Sequence, residues 1–462
     1  MSRHITTRAQ VSGHRFGIHR AGHALVRRDV RMMHDPMRTH ARSLAAGLVL
    51  AVLALAGAGV YGIIRPAPTV GDAAVVVADD GAMYVRIDDV MHPVNGIVSA
   101  RLLLGEPAEP RHVSDDSLRA FARGPAVGLR GAPTAVGSGV GGSRWTVCDA
   151  GGETVVIAGR LRTSGMRSGG GALVEHDGVH WLLYERPGPD GTAVPVRARV
   201  DPSDTAVLEA LGLRDAPVRT VSAGLINAFP PEPALTVPAI AARGAPGPLG
   251  AAVGSVLTTT SVGGRESYHV ILDGAVQPVP RPVADAIRLA DPTASAQVRR
   301  VSPGALATVP VRDDLAVDHF PARTPALVDE HADVLCRSWS RGASDAYATS
   351  SLWAGTALPL GDGARPVRMA SADGRGPALD GVYLRPGSGE HVRVTGTDPR
   401  SPRSATSFYI ADTGVRYRIG DGIGEMLGLS ATERAPWSVV TLLPSGPELS
   451  REAAAVAADT AR

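Results

Sequence analysis

At 462 residues the chain exceeds one ordinary domain, so several units or a repeat array are expected. It holds 54 glycines and 36 prolines but only 4% aromatic residues, which favours short elements joined by many turns over a bundle of long helices. A net charge of +2 excludes a strongly basic nucleic-acid binder, and no lysine occurs: all 47 basic residues are arginine.

The charge is unevenly placed. Residues 1–43 hold nine arginines against Asp29 and Asp35, while the remainder is mildly acidic. This basic head reads as one or two helices near a membrane surface, able to meet anionic lipid or an acidic partner. Pro36 is expected to break helix just before the apolar run. Of the head histidines His14, His19, His23, His34 and His40, only His19 and His23 share an i, i+4 spacing. No carboxylate or cysteine completes a metal set with them, so they read as solvated.

From Leu44 to Ile64 the chain carries no charge. At ~1.5 Å per residue this run reaches about 31 Å, enough for a bilayer core. Arg42 and Arg65 bracket it, and the arginine excess on its N-terminal side puts residues 1–43 in the cytoplasm and 65–462 outside. Ala54-Leu55-Ala56 resembles a signal-peptidase site, but the leader and the apolar run are both too long for a signal peptide. The reading is a single-pass anchor in the plasma membrane. Ala54, Ala58 and Gly62 recur every four residues, a stripe that lets helices pack closely in lipid or that an alanine-rich chain produces without function.

Four segments of the exported part align. The first is "YVRIDDVMHPVNGIVSARLLLG" from Tyr84, and the second starts "WLLYE" at Trp181. The third is "YHVILDGAVQPVPRPVADAIRLA" from Tyr268, and the fourth is "SFYIADTGVRYRIGDGIGEMLGL" from Ser407. Each has an alternating strand, a turn suited to positive φ, a second strand and a helically spaced apolar stretch. Such a hairpin-helix unit is not stable alone. The expected fold is therefore α+β: four repeats, at approximately 80–106, 172–213, 265–292 and 380–430, around a discontinuous central β domain. The centre is assigned to 107–160, 214–262, 295–380 and 430–445, with strand-like runs such as "VVIAG", "SVLTTT" and "ALATVPV".

The two cysteines, Cys148 and Cys336, each lie three residues from a tryptophan. An oxidising compartment favours a disulfide between them over two free buried thiols. No G-x-S-x-G elbow, H-E-x-x-H or paired Cys-x-x-Cys spacing occurs, and Asp88-Asp89 and Asp115-Asp116 sit in turn-like surface contexts. A standard phosphate-binding P-loop needs a lysine that this chain does not have, so "GSGVGGS" and "RSGGGA" read as loops. No catalytic, cofactor or metal residue is assigned.

An ordered series of short motifs does carry a resemblance. It includes Gln10-Val11, Arg15-Phe16, Asp35-Pro36, Ser99-Ala100-Arg101-Leu102, Trp145-Thr146-Val147-Cys148-Asp149, "GLINAFPPEPAL" from Gly224, Asp412-Thr413-Gly414-Val415-Arg416-Tyr417 and "PWSVVTLLPSGPELS" from Pro436. On these the chain resembles the EccB family of the actinobacterial type VII (ESX) secretion system. The resemblance implies a structural subunit of an inner-membrane complex, bridging its core to the cell envelope. It also implies copies of itself, EccC, EccD and EccE homologues and mycosin as partners, with peptidoglycan contact a further implication. Family members often carry an ATPase label. The alternatives are a cell-wall-binding membrane anchor and an extracytoplasmic hydrolase or ATPase.

Overall fold

The computed structural model describes residues 7–31, 36–64, 69–137, 139, 143–188, 191–291, 298–342, 344–404, 406–429 and 432–457. The chain divides into two compact units, Met1–Val70 and Gly71–Arg462.

Among the described residues of the first unit there are two helices. Arg8–Arg27 opens on a capping box: Gln10 N–H donates to the Thr7 hydroxyl while Thr7 N–H donates to Gln10 Oε1 at 2.9 Å. It ends at Arg28, whose left-handed backbone (φ 55°) lets its N–H reach the Ala24 carbonyl at 2.9 Å. The second helix runs from Pro36 to Ile64 without interruption. Pro36 therefore starts this helix, because a proline in the first turn has no N–H to leave unpaired and its fixed φ suits the helix. The consequence is that the stretch after Pro36, expected to belong to the head, is continuous with the apolar run. Thr39–Tyr61 is long and apolar enough to cross a membrane. Leu44, Leu48, Leu53, Leu55 and Tyr61 on it are all exposed.

The second unit is mostly β. Four small sheets are built in one order: a three-stranded antiparallel meander, a helix, a two- to four-residue strand returning parallel to the first strand, a short helix, and an extended segment parallel to the third strand. The first sheet uses Val75–Val77, Met83–Ile87 and Val90–Val94, then the helix Ile97–Leu104, then Arg111–His112 and Ala122–Arg123. The second uses Ala172–His176, Val179–Pro187 and Ala193–Arg199, the helix Thr205–Ala210, Arg219–Thr220 and the helix Ala223–Ala228. Pro231 and Leu235 then bridge to Arg197 and Val200. The third uses Val256–Thr260, Glu266–Leu272 and Ala275–Val279, the helix Arg281–Leu289, Arg299–Arg300 and a bridge from Val311 to Val276. The fourth uses Gly389–Thr395, Ser407–Ala411 and Arg416–Ile419, the helix Ile423–Met426, Glu433–Pro436 and bridges from Ser445 and Leu449.

A seven-stranded sheet lies between them in sequence. Its order is Val367–Arg368, Gly381–Tyr383, Glu153–Ala158, Arg144–Ala150, Val334–Ser340, Thr349–Gly355 and Met166–Ser168. Two hairpins, one from each half of the chain, meet edge to edge: Cys148 pairs with Cys336 and Trp145 with Trp339.

Several expected boundaries shift. "SVLTTT" supplies the first strand of the third small sheet, and "ALATVPV" gives the end of a helical turn and a bridge; neither joins the central sheet. Segments assigned to the centre around 111–127, 219–235 and 433–445 complete the first, second and fourth small sheets. Gly381–Tyr383, placed in the fourth repeat, pairs with Val155–Ile157 in the central sheet. For the parallel segments the physical reason is shared, since a strand of two to four residues has too little periodicity to be assigned from its own sequence, whereas "SVLTTT" is strand as expected but pairs antiparallel with Glu266–Leu272.

The cores explain the nesting. The second and third small sheets bury one apolar cluster, where Leu182, Tyr184 and Val207 meet Val270, Val283 and Ile287. The first and fourth share another, where Val85, Val98 and Leu102 meet Tyr417, Ile419 and Leu427. Trp145, Val147, Val156 and Trp339 of the central sheet pack with Val392, Phe408, Ile410 and Val440 of the fourth.

Candidate functional site

Two features invite a functional reading: the membrane helix and the clamp at the middle of the body. On the helix, Arg42 is exposed near the start, and Ala54, Ala58 and Gly62 fall on one face four residues apart. Arg65 lies outside the described residues. His14, His19 and His40 are exposed, His23 is buried in the first unit, and His34 lies outside the described residues. Among the described residues no group of metal-ligating side chains gathers.

In the body, Cys148 and Cys336 form a disulfide, with Cα atoms 4.0 Å apart and a sequence separation of 188. Both are fully buried beside Val155, Ile157 and Val334. The two residues are directly opposed partners on adjacent antiparallel strands. Strand alternation turns Asp149 to the face opposite Cys148, where it is also fully buried. Its Oδ2 accepts from Ser222 N–H at 2.7 Å and its Oδ1 from Gly152 N–H at 3.3 Å, with the Arg219 guanidinium 3.8 Å away. Burial lifts this carboxyl above its ordinary range, while the two backbone donors and Arg219 pull the other way. Ser222 in turn caps the helix Ala223–Ala228, its hydroxyl accepting from Leu225 N–H. One buried carboxylate thus fixes the "GLINAF" segment to the central sheet.

Phe229, at the end of that helix, faces Arg337, whose guanidinium carbon is 5.8 Å from the ring centroid. Arg337 is 2% exposed and donates to the Ser350 hydroxyl at 3.2 Å. Burial lowers its pKa to about 10. A second buried carboxylate, Asp380, accepts from Thr154 N–H at 2.7 Å and from Asp373 and Gly374 N–H at 3.0 and 2.7 Å. These acids are engaged by backbone donors, which suits them to holding segments together rather than to proton transfer. Sequence reasoning assigned none of Asp149, Asp380 or Arg337. The signal for Asp149 was present in "WTVCD", where alternation sets it on the same face as Trp145 and Val147.

The type VII secretion model described as ESX-1 transport transmembrane domain B matches residues 3–462. The chain belongs to the EccB family. Among its relatives, the ESX-3 secretion system ATPase EccB3 of Mycolicibacterium smegmatis is 34% identical over 99% of this chain and 92% of its own length. The ESX-5 secretion system ATPase EccB5 of Mycobacterium tuberculosis is 32% identical over 99% and 94%. Among solved structures, a chain of an intact ESX-5 inner membrane complex superposes with TM-score 0.72 and 29% identity, covering all of this chain and 97% of that one. The EccB3 dimer from the ESX-3 core complex gives TM-score 0.68 and 32% identity over 83% of this chain and all of that one. The EccB relationship extends through head, apolar helix and β-rich body, and the family is a transmembrane component.

Proposed function

We propose that this EccB-family chain is the single-span structural subunit of a type VII (ESX) secretion complex in the plasma membrane. The observation that carries the reading is the full-length match, which includes a chain within an inner membrane complex. Residues 1–43 form the cytoplasmic head, 44–64 the span flanked by Arg42 and Arg65, and 65–462 the extracytoplasmic body. The arginine excess before the span supports that orientation. The identical build order of the four small sheets supports reading them as copies of one repeat set around a discontinuous central β domain. Such repeats offer surfaces for a second copy of this chain, for EccC, EccD and EccE homologues and mycosin, and for the cell envelope, including peptidoglycan. Ala54, Ala58 and Gly62 are the proposed packing face for another membrane helix.

The ATPase in the relatives' names has no support from the residues here. A chain without lysine has no standard Walker A group, and the buried carboxylates of the central sheet are occupied by backbone donors.

The test is secretion. A strain lacking the gene loses export of its ESX substrates, and the full-length chain restores it while residues 71–462 alone do not. Restoration by the body alone contradicts the anchoring role; undiminished export in the deletion strain contradicts the whole reading and leaves the cell-wall anchor.

A further inference from the structure

A cavity of about 310 Å³ opens where the end of the strand Gly389–Thr395 and the strand Glu433–Pro436 meet the segment after Val334–Ser340. Its walls carry four arginines, Arg341, Arg393, Arg403 and Arg434, against one carboxylate, Glu433. That carboxylate is engaged: its Oε2 accepts from the Ser143 hydroxyl at 2.8 Å. The nearby acids also serve turns, Asp345 accepting from Gly342 N–H at 2.7 Å and Asp398 from Arg400 N–H at 2.7 Å.

Arg341 is the fixed element. It is 8% exposed, and its guanidinium donates to the carbonyls of Ser401 and Ala346 at 2.9 Å and of Asp345 at 3.3 Å. Burial and the neighbouring Arg434 lower its pKa, with Asp345 acting in the other direction. Arg393 and Arg403, by contrast, are exposed. The sixth group is Thr395, 4% exposed, whose buried hydroxyl has no hydrogen-bond partner among the described residues. A buried hydroxyl left so is costly, and Thr395 is one of the residues that line the cavity.

We propose that this cavity binds a phosphate-class oxyanion. Guanidinium forks match phosphate oxygens two at a time: Arg341 and Arg434 already donate to backbone carbonyls and contribute fixed positive charge, while the exposed Arg393 and Arg403 supply the forks, against one engaged carboxylate. The volume suits a head group rather than a stretch of polypeptide. The site lies in the body, apart from the span and the disulfide, and stands independently of the secretion reading.

The experiment is calorimetric titration of the full-length protein in detergent micelles with inorganic phosphate, against acetate and polyglutamate at matched ionic strength. Arg393→Ala/Arg403→Ala is the variant, since both side chains are exposed, and an unchanged melting temperature without ligand shows that it folds. The expected result is saturable phosphate binding, weakened at least tenfold in the variant, with no comparable signal from acetate or polyglutamate. Absent saturable binding, binding undiminished in the folded variant, or polyglutamate binding as tightly as phosphate overturns the proposal. Competition by glycerol 3-phosphate alone would mark a monoester source, and equal competition by dimethyl phosphate a phosphodiester of lipid or envelope polymer; both outcomes support a phosphate site.

Discussion

Cys148 and Cys336 stand directly opposite one another on adjacent antiparallel strands and are covalently joined, and three residues along the same ladder Trp145 faces Trp339. The bond ties together two hairpins that the second and third small sheets separate in the chain. For a loop of 188 residues, chain entropy alone gives roughly 5 kcal/mol, an upper figure. Cys148→Ser/Cys336→Ser should therefore lose several kcal/mol and melt at markedly lower temperature. Thermal unfolding with and without reductant checks this: the wild type should fall toward the variant on reduction, and the variant should not respond.

Asp149 should make stability pH-dependent in an unusual direction. Its folded-state pKa is raised, chiefly by burial. A carboxyl raised on folding contributes fully below its unfolded value, and that contribution is lost as pH rises through the folded value. Urea unfolding of the wild type and Asp149→Asn between pH 4 and pH 7 should show the stability difference, wild type minus variant, shrinking as pH rises. A difference that grows with pH would mean that Arg219 and the backbone donors outweigh burial.

Gly414 occupies the turn of the fourth sheet at φ +83°, and a Cβ there would lie 2.3 Å from Cγ1 of the fully buried Val382. Gly387, at φ +73°, has no atom within 4 Å of its virtual Cβ. Gly414→Ala should cost roughly 2–4 kcal/mol from strain and overpacking together, and Gly387→Ala only about 1 kcal/mol from backbone strain. Equal costs in chemical denaturation would remove the contact with Val382 from the account.

What the sequence disclosed follows the physics of each signal. The anchor was legible because Leu44–Ile64 needs no partner to declare itself. The meanders were legible where alternation and a turn coincide, as at Tyr268–Val279. The strands Arg219–Thr220, Arg299–Arg300 and Glu433–Pro436 were not, because each is defined by a parallel neighbour more than thirty residues earlier. Missing them moved whole segments from the small sheets into the centre. Arg337 was hidden for a related reason: only the packing of Phe229 and the ladder around it show that an arginine is buried there.

Arg337 also yields a substitution test. A buried guanidinium forfeits hydration that a single hydrogen bond to the Ser350 hydroxyl and a ring face only partly replace. Arg337→Met, which keeps the stem and drops the charge, should be neutral or stabilising by about 1–2 kcal/mol. Arg337→Ala should destabilise by about 2–4 kcal/mol through the cavity it leaves. Denaturant midpoints of the two variants decide it.

The central claim, that this chain works as one subunit of a larger membrane assembly, is tested most directly by its native mass. Membranes containing the tagged full-length protein, extracted in gentle detergent and sized intact, should yield a species far above the 47.6 kDa chain, with a motor ATPase and a many-span protein identified in it by mass spectrometry. A single 47.6 kDa chain without partners, recovered from membranes that actively secrete, would contradict the account.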